Sequence, residues 1–395
     1  MRKKVLLIIL SLISVLACAL CLAACGETSG SDDTENLIFE EVEGGYAVVG
    51  YKQVNNYTMT IPKTYNGKPV VAIADHAFYE CGRLSVITIP EGVTSIGDFA
   101  FYGCYLAAIS IPDSIESIGE SAFDLYSSNH VDEGREKKYG NAIYWGNGNN
   151  PYVVLMIADN KDITSCEINE KTKVIYDKAF SGCASLTEIE IPDSVTCIGN
   201  EAFKNCDKLT VVSLPEKITR VSNELFAECD RLTSVIIPGG VTAIGKSAFS
   251  KCELLSAVNI PDSVVTIGSG AFLNCEKLKY NTIDGIKYLG SGSNPYFILI
   301  KAEDKEIASC TVKEQTKIIY GSAFFYRQSL TNITLPEGLT SIGGSTFNLC
   351  YKLTDINFKG TKEQWLAIEK EIGWDANTAN YTVTCTDGTL TKITD

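Results

Sequence analysis

The sequence predicts an α/β solenoid, in which short strands and turns alternate and the chain stacks unit upon unit. Three observations carry this. Phenylalanine, usually as Ala-Phe, recurs at 78, 101, 123, 180, 203, 226, 249, 272, 324 and 347, a spacing of 22 or 23 except at two gaps. In seven copies a proline stands 11 residues before it, at 90, 112, 192, 215, 238, 261 and 336. A unit with roughly eight inward residues cannot close a core alone, so units must stack and share one.

Each part of the unit has a physical reading. In the copy that starts at Leu186, Ile189 and Ile191 alternate with Glu188 and Glu190, so a short strand turns one face inward. Pro192 cannot donate to a ladder and Asp193-Ser194 favours a turn, so the strand stops there. Val195 and Ile198 point inward from a second extended piece, and Gly199 permits a tight corner. Asn200 to about Asp207 is expected to form one or two helical turns that bury Ala202, Phe203 and Cys206.

The copies Leu84, Ile87, Ile89, Pro90, Val93, Ile96, Gly97, Phe101, Cys104 and Leu232, Val235, Ile237, Pro238, Val241, Ile244, Gly245, Phe249, Cys252 repeat this order. The pattern closely resembles the BspA-like, Treponema-type leucine-rich repeat over roughly residues 60 to 358. The resemblance implies a right-handed leucine-rich repeat solenoid with a parallel β-sheet, short helical turns and terminal caps. It also implies a bacterial surface protein of the kind proposed as an adhesin or ligand binder. A fold family supplies no ligand by itself.

The first residues read as an address. Arg2, Lys3 and Lys4 precede an apolar run from Val5 to about Leu20, and Leu22-Ala23-Ala24-Cys25 follows. This is the layout of a secretion signal, and the run is shorter than the 20 or so apolar residues a transmembrane anchor needs. The Leu-Ala-Ala-Cys ending resembles a lipoprotein lipobox, which makes residues 1–24 a lipoprotein signal peptide and Cys25 the lipid anchor. Several acyl chains at about 0.8 kcal/mol per buried methylene would hold it firmly on the extracellular side of the bacterial membrane. Residues 25–36 are then the lipidated Cys and a flexible acidic tether with an r.m.s. reach of about 18 Å.

The two gaps in the Phe series contain matching text. Asn150-Pro151-Tyr152 matches Asn294-Pro295-Tyr296, and Cys166 matches Cys310, each offset by 144. Counting from the Phe places Cys166 and Cys310 at an inward strand position. Two strand-like runs around a Gly/Asn/Ser-rich turn suggest hairpin insertions near 141–158 and 285–302. Their aromatic residues Tyr144, Trp145, Tyr152, Tyr288 and Tyr296 are candidate ligand contacts, especially for sugars. Packing of the hairpins onto the solenoid is the favoured alternative, because Tyr288 and Tyr296 recur with the duplication.

Residues 37–61 read as an N-terminal cap, 62–358 as the repeat solenoid, and 359–395 as a C-terminal cap. In the last of these, Thr361-Lys362-Glu363-Gln364 fits a capping box, and Trp365, Ile368 and Ile372 fall on one face of a short helix. Tyr381, Val383 and Cys385 then alternate as a strand. Ends of this kind shield a bare sheet edge.

Composition narrows the function. There are 34 Lys and Arg against 48 Asp and Glu, a formal charge of −14, which becomes −17 once Arg2, Lys3 and Lys4 are removed. Nucleic-acid binding is thereby disfavoured. Of the 15 Cys, eight stand three residues after the repeat Phe. Spaced mostly by 23, these eight form none of the Cys-x-x-Cys pairs typical of zinc sites, and the chain has two His, so no metal or cofactor is expected. Equivalent Cβ atoms in adjacent coils lie about 4.8 Å apart, wider than a disulfide favours, so these thiols read as free core residues. Cys197 is the exception and can be exposed. Glu188 and Glu190 could be read as a glycosidase pair, but equivalent positions hold Thr88, Ser110, Ser213, Asn259 and Thr334, which cannot do that chemistry.

The expected function is therefore non-enzymatic. The chain reads as a cell-surface binding or adhesion protein that presents an extended face to an extracellular protein or glycan. The candidate binding face is Thr88, Ser110, Glu190, Ser213, Ile236, Asn259 and Thr334. The alternative is a structural or assembly module of the envelope, and a polymer-degrading enzyme is the third reading.

Overall fold

A computed structural model describes residues 33–53, 57–123 and 137–392. Cys25, the signal segment and most of the tether lie outside the described residues, as does His130. The chain divides into two compact units, Met1–Phe180 with Glu190–Ala202, and Ser181–Ile189 with Phe203–Asp395. Each is a β-solenoid of stacked coils with few helices.

A regular coil contributes two short strands and a column of turns. In the second unit the pre-proline strands Val211–Ser213, Ser234–Ile236 and Ala257–Val258 form one parallel sheet. The pre-glycine strands Arg220–Val221, Ala243–Ile244 and Thr266–Ile267 form another. Residues 23 apart pair, as in Val212↔Val235 and Val221↔Ile244, so coil length alone fixes the register. A one-residue slip would turn the buried Val235 outward. In the first unit Thr58–Thr60, Val86–Thr88 and Ala108–Ser110 pair in the same parallel manner.

The Ala-Phe segment departs from the expected helical turns. The residues two before and two after the Phe have positive φ: His76 (58°), Glu80 (53°), Glu224 (53°), Glu228 (63°), Ser247 (52°) and Lys251 (61°). A left-handed residue at each side stops a helix, and it aims the intervening N–H groups along the stack instead. Phe78 N donates to Ala100 O at 2.8 Å and Glu80 N to Tyr102 O at 2.7 Å, and in the other unit Phe226 N donates to Ala248 O at 2.8 Å. The segment is a third ladder between coils, made of turns.

Inside this ladder the phenylalanines stack. Phe78–Phe101 and Phe101–Phe123 have ring centroids 5.1 and 5.5 Å apart. Phe203, Phe226, Phe249 and Phe272 continue at 5.6, 5.8 and 5.5 Å in the second unit. The cysteine three residues on points to the same axis, and its thiol donates to the carbonyl of the preceding coil's Phe. Cys104 reaches Phe78 O, Cys252 reaches Phe226 O and Cys275 reaches Phe249 O, each at 3.0 Å. The twelve described cysteines form no disulfide, and all but the half-buried Cys197 are buried. Burial pushes the Cys104 and Cys275 thiols up to about 12 and Cys350 up to about 11, so these groups stay protonated and unreactive.

The repeat glycine is needed for close approach. A Cβ on Gly245 would lie 2.6 Å from Asn223 N in the preceding coil. Tyr176 and Tyr320 stand at this position after the two interruptions. The Tyr176 hydroxyl accepts from Phe123 N at 2.8 Å and donates to Phe123 O at 3.1 Å, and Tyr320 Oη accepts from Phe272 N at 3.4 Å. Each tyrosine satisfies the donor that the next regular coil would have paired.

At the N-terminal end Leu37–Val42 pairs antiparallel with Gly45–Tyr51, which pairs in parallel with Lys68–Ile73. Tyr51 stacks on Phe78 at 5.8 Å. At the other end Thr361 Oγ1 accepts from Gln364 N, and Gln364 Oε1 accepts from Thr361 N, closing the expected capping box. The helix Lys362–Ala367 buries Trp365 against Phe358. Ile372 does not share this face as the helical spacing suggested. The helix stops at Ala367, Ile368 takes φ −59° and ψ 128°, and the chain enters the strand Glu369–Lys370, which leaves Ile372 fully exposed.

Truncating Phe249, which is stacked on both sides, is expected to cost about 3–5 kcal/mol, whereas Cys252→Ala, which removes one of the two donors to the Phe226 carbonyl and leaves Cys229 N, should cost about 1 kcal/mol. Urea unfolding of the two variants checks the order. Iodoacetamide at pH 8 should label Cys197 alone among the twelve described thiols of the folded chain, with the others reacting only after denaturation; mass mapping of alkylated peptides reads this.

Candidate functional site

The candidate binding face sits on the outward positions of the pre-proline strands, and the sheets bring some of its members together. In the first unit Thr60, Thr88 and Ser110 are register partners across three strands. In the second, Ser213 pairs with Ile236, which is 58% exposed, and Asn259 follows the adjacent strand Ala257–Val258. Thr311, Thr334, Asn357 and Thr384 form a further row. Thr88, Glu190, Ser213 and Asn259 are exposed, while Ser110 and Thr334 are half-buried. Glu188 and Glu190 flank the buried Ile189 on one strand and face solvent, an ordinary strand surface.

Among the hairpin aromatics the structure draws a division. Ala142–Trp145 pairs antiparallel with Val154–Ala158, and Ile286–Leu289 with Ile298–Ala302. Tyr144 and Tyr288 are fully buried, each packed edge-on against Tyr152 or Tyr296 at 5.6 and 5.5 Å, so neither can touch a ligand. Their side chains point to the core because the pairing register places them on the same face as the inward strands. Tyr152 and Tyr296 are half-buried. Trp145 is also half-buried, with its ring set edge-on against Phe123 at 5.5 Å.

Trp145 and Ser110 meet in an open groove of about 440 Å³ lined by Ile109, Ser110, Lys137, Trp145, Asn147 and Pro151, with Gly146 and Gly148 at the loop. The loop after Trp145 builds one wall. Asn147 Oδ1 accepts from Asn149 N and Asn150 N, which folds the turn. Asn147 Nδ2 donates to Ile111 O at 3.0 Å and Asp113 Oδ1 at 3.2 Å, and Gly146 O accepts from Ile111 N at 3.2 Å. These bonds tie the hairpin to the coil that carries Ser110. Gly146 has no alternative, since a Cβ there would lie 2.1 Å from Asn150 O.

The second copy shows what is particular to the first. Ser291 Oγ bonds Asp262 Oδ1 at 3.2 Å, so its loop docks on the equivalent turn. Leu289 replaces Trp145 and is buried. At the coil preceding the hairpin, Leu255 and Val258 are buried, whereas their counterparts Leu106 and Ile109 are half-exposed. The first interruption therefore opens part of the core to solvent, and the second does not.

Near the same interruption Asp177 bridges two coils. Its Oδ2 accepts from Ser121 N at 2.8 Å and its Oδ1 from Asn200 N at 2.7 Å. Burial outweighs these two bonds and raises the carboxyl to about 6. No group of three or more His, Cys, Asp or Glu among the described residues is placed to hold a metal ion.

The sequence profile of the BspA type leucine rich repeat region matches in six copies, over residues 51–135, 158–279 and 302–367. The chain belongs to this family. The two gaps in the match fall on the hairpins just described. Among solved structures, the chain is similar to a leucine-rich repeat protein of T. pallidum, at 23% identity over 64% of this chain and 91% of that one, with a TM-score of 0.29. A leucine-rich cell surface protein from Faecalibacterium prausnitzii A2-165 matches at 24% over 89% and 100%, TM-score 0.30. A leucine-rich repeat protein from Bacteroides ovatus ATCC 8483 matches at 20% over 89% and 99%, TM-score 0.31. At such TM-scores these likenesses support no conclusion, and the family rests on the repeat itself. No curated protein matches. No described helix is long and apolar enough to cross a membrane.

The raised Asp177 carboxyl has a pH consequence of definite sign. Between about pH 4 and pH 6 the unfolded chain releases this proton while the folded chain holds it, so stability falls as pH rises through that window. The change is on the order of 2–3 kcal/mol. The stability difference between the native chain and Asp177→Asn, from denaturant titrations at pH 4 and pH 7, should shift against the native chain by that amount.

Proposed function

We propose that this leucine-rich repeat protein is a non-enzymatic binding protein of the bacterial cell surface, and that its ligand-contacting site is the groove between Ser110 and Trp145. The groove carries the reading because it joins, in one place, an outward strand residue and a hairpin aromatic that sequence reasoning had singled out separately. It offers an apolar floor in Ile109 and Trp145, a hydrogen-bonding group in Ser110, and a cation in Lys137. An apolar cleft with a few convergent polar groups is the usual form of a recognition site. The exposed rows of Thr, Ser and Asn on the strand faces suit many weak contacts with an extended ligand, protein or glycan. Catalysis is not favoured, since the described residues of the groove lining include no carboxylate or histidine to act as acid or base.

The rest of the reading places the chain. Cys25 would carry the lipid, residues 1–24 would be removed, and the acidic tether 25–36 would hold the folded part near its membrane on the outer side. The segments 37–61 and 359–395 would serve as caps on a repeat region of 62–358 whose coils wind right-handedly. The antiparallel strands at the start and the buried Trp365 support this role, because each covers what would be a bare end.

The test is binding to arrays of extracellular matrix proteins and of glycans, with Trp145→Ala compared against the native chain. Loss of about 1.4 kcal/mol or more, a tenfold weakening, is expected in the variant. Binding untouched by the substitution would remove the groove from the proposal, and recovery only of envelope proteins by crosslinking in cells would favour a structural role instead.

A further inference from the structure

Resting on the groove as the contact site, we infer that its ligand is an extended polypeptide segment, bound by adding a strand to the free edge of Ala108–Ser110. Among the described residues the three-stranded sheet Thr58–Thr60, Val86–Thr88, Ala108–Ser110 ends at its last member. In a parallel ladder alternate residues bond to alternate sides. Ala108 N donates to Ser85 O at 3.0 Å and Ser110 O accepts from Ile89 N at 3.4 Å, so both residues face the inner neighbour. Ile109 lies between them and directs its N–H and C=O the other way, toward the groove. In a regular coil the next pre-proline strand would take those two groups. Here the hairpin interrupts the stack: its loop takes Ile111 through Gly146 O and Asn147 Nδ2 but not Ile109, and Lys137 and Trp145 form the opposite wall.

Side chains agree with a missing strand. Ile109 occupies the inward position that is buried as Ile87, Val212 and Val235 in other coils, yet it is half-exposed, as is Leu106. An added strand would cover both, with an apolar side chain against Ile109 and the Trp145 ring. Strand addition supplies affinity through main-chain bonds and selectivity through pockets for alternate side chains. Among the described residues Lys137 is the single charged member of the lining and is exposed, with no ion pair to a described carboxylate, whereas the adjacent Lys138 is held by Asp159 at 2.6 Å. The complementary segment therefore carries an acidic residue beside its apolar one. At the second interruption Val258 and Leu255 are already buried and Leu289 stands in place of Trp145, so the site belongs to the first.

The experiment uses the folded chain and two probe sets. One is a library of short synthetic peptides with alternating apolar residues and a single Glu or Lys; the other is a set of neutral and acidic oligosaccharides. Trp145 emission reports occupancy, with Trp145→Phe as the control for Trp365 and Trp374. Amide hydrogen exchange at Ile109 reports strand addition. The expected result is that Glu-containing peptides shift the emission and slow Ile109 exchange about tenfold or more, while N-methylation of the backbone opposite Ile109 and Lys137→Glu each weaken binding about tenfold. Peptide binding that leaves Ile109 exchange unchanged overturns the inference. So does an emission shift with oligosaccharides alone, which would leave the groove standing as a glycan site. If neither set shifts Trp145, both the inference and the groove reading fail.

Discussion

Everything in each unit depends on the hydrogen bonds that run from one coil to the next. The two strands of a coil pair with their counterparts 22 or 23 residues away, and the turn column does the same through N–H groups aimed by left-handed residues. A coil that kept its bonds internal, as a helix does, would present no donors to its neighbour. The fixed spacing of the phenylalanines follows from this, since three ladders can stay in register only if every coil has nearly the same length. The stacked rings and the thiols that reach back to the preceding Phe carbonyl fill the space these ladders enclose.

The same constraint explains what happens where the repeat breaks. Inserting a hairpin displaces the neighbour that would satisfy Phe123 and Phe272, and a buried N–H without a partner is costly. Tyr176 and Tyr320 reach in with a hydroxyl, and they can stand at the glycine position only because the preceding coil has been moved aside. The pre-proline sheet is repaired only in part on its outer edge. There the hairpin loop takes Ile111, through Gly146 O and Asn147 Nδ2, but among the described residues no strand pairs with Ile109, and the groove is the result.

Function in this reading belongs to an irregularity of the fold. The regular faces are rows of short polar residues, each too small to hold a ligand alone. The first interruption adds depth, an aromatic wall and unpaired main-chain groups, while its duplicate, with Leu289 for Trp145, is closed. The duplication thus contains its own comparison, in which the same architecture does and does not leave an opening.

How much of this was written in the sequence depends on whether the deciding contact is local. Alternation and the proline fixed the pre-proline strands, the Phe spacing fixed the stack, and counting from the Phe put Cys166 and Cys310 inside, because these depend on periodicity along one chain segment. The Ala-Phe turn read as helix because local propensity does not register bonds made to the next coil. Tyr144 and Tyr288 stood among candidate contacts, and only the pairing register showed that they face inward. Ser110 and Trp145 were each picked out, but their meeting depends on Asn147 bonding to Ile111 and Asp113, a contact between distant segments. The sequence by itself thus determined a repeat that must stack. Tertiary structure alone decided where the stack opens, since that turns on whether the coil after Ser110 is present beside it or displaced.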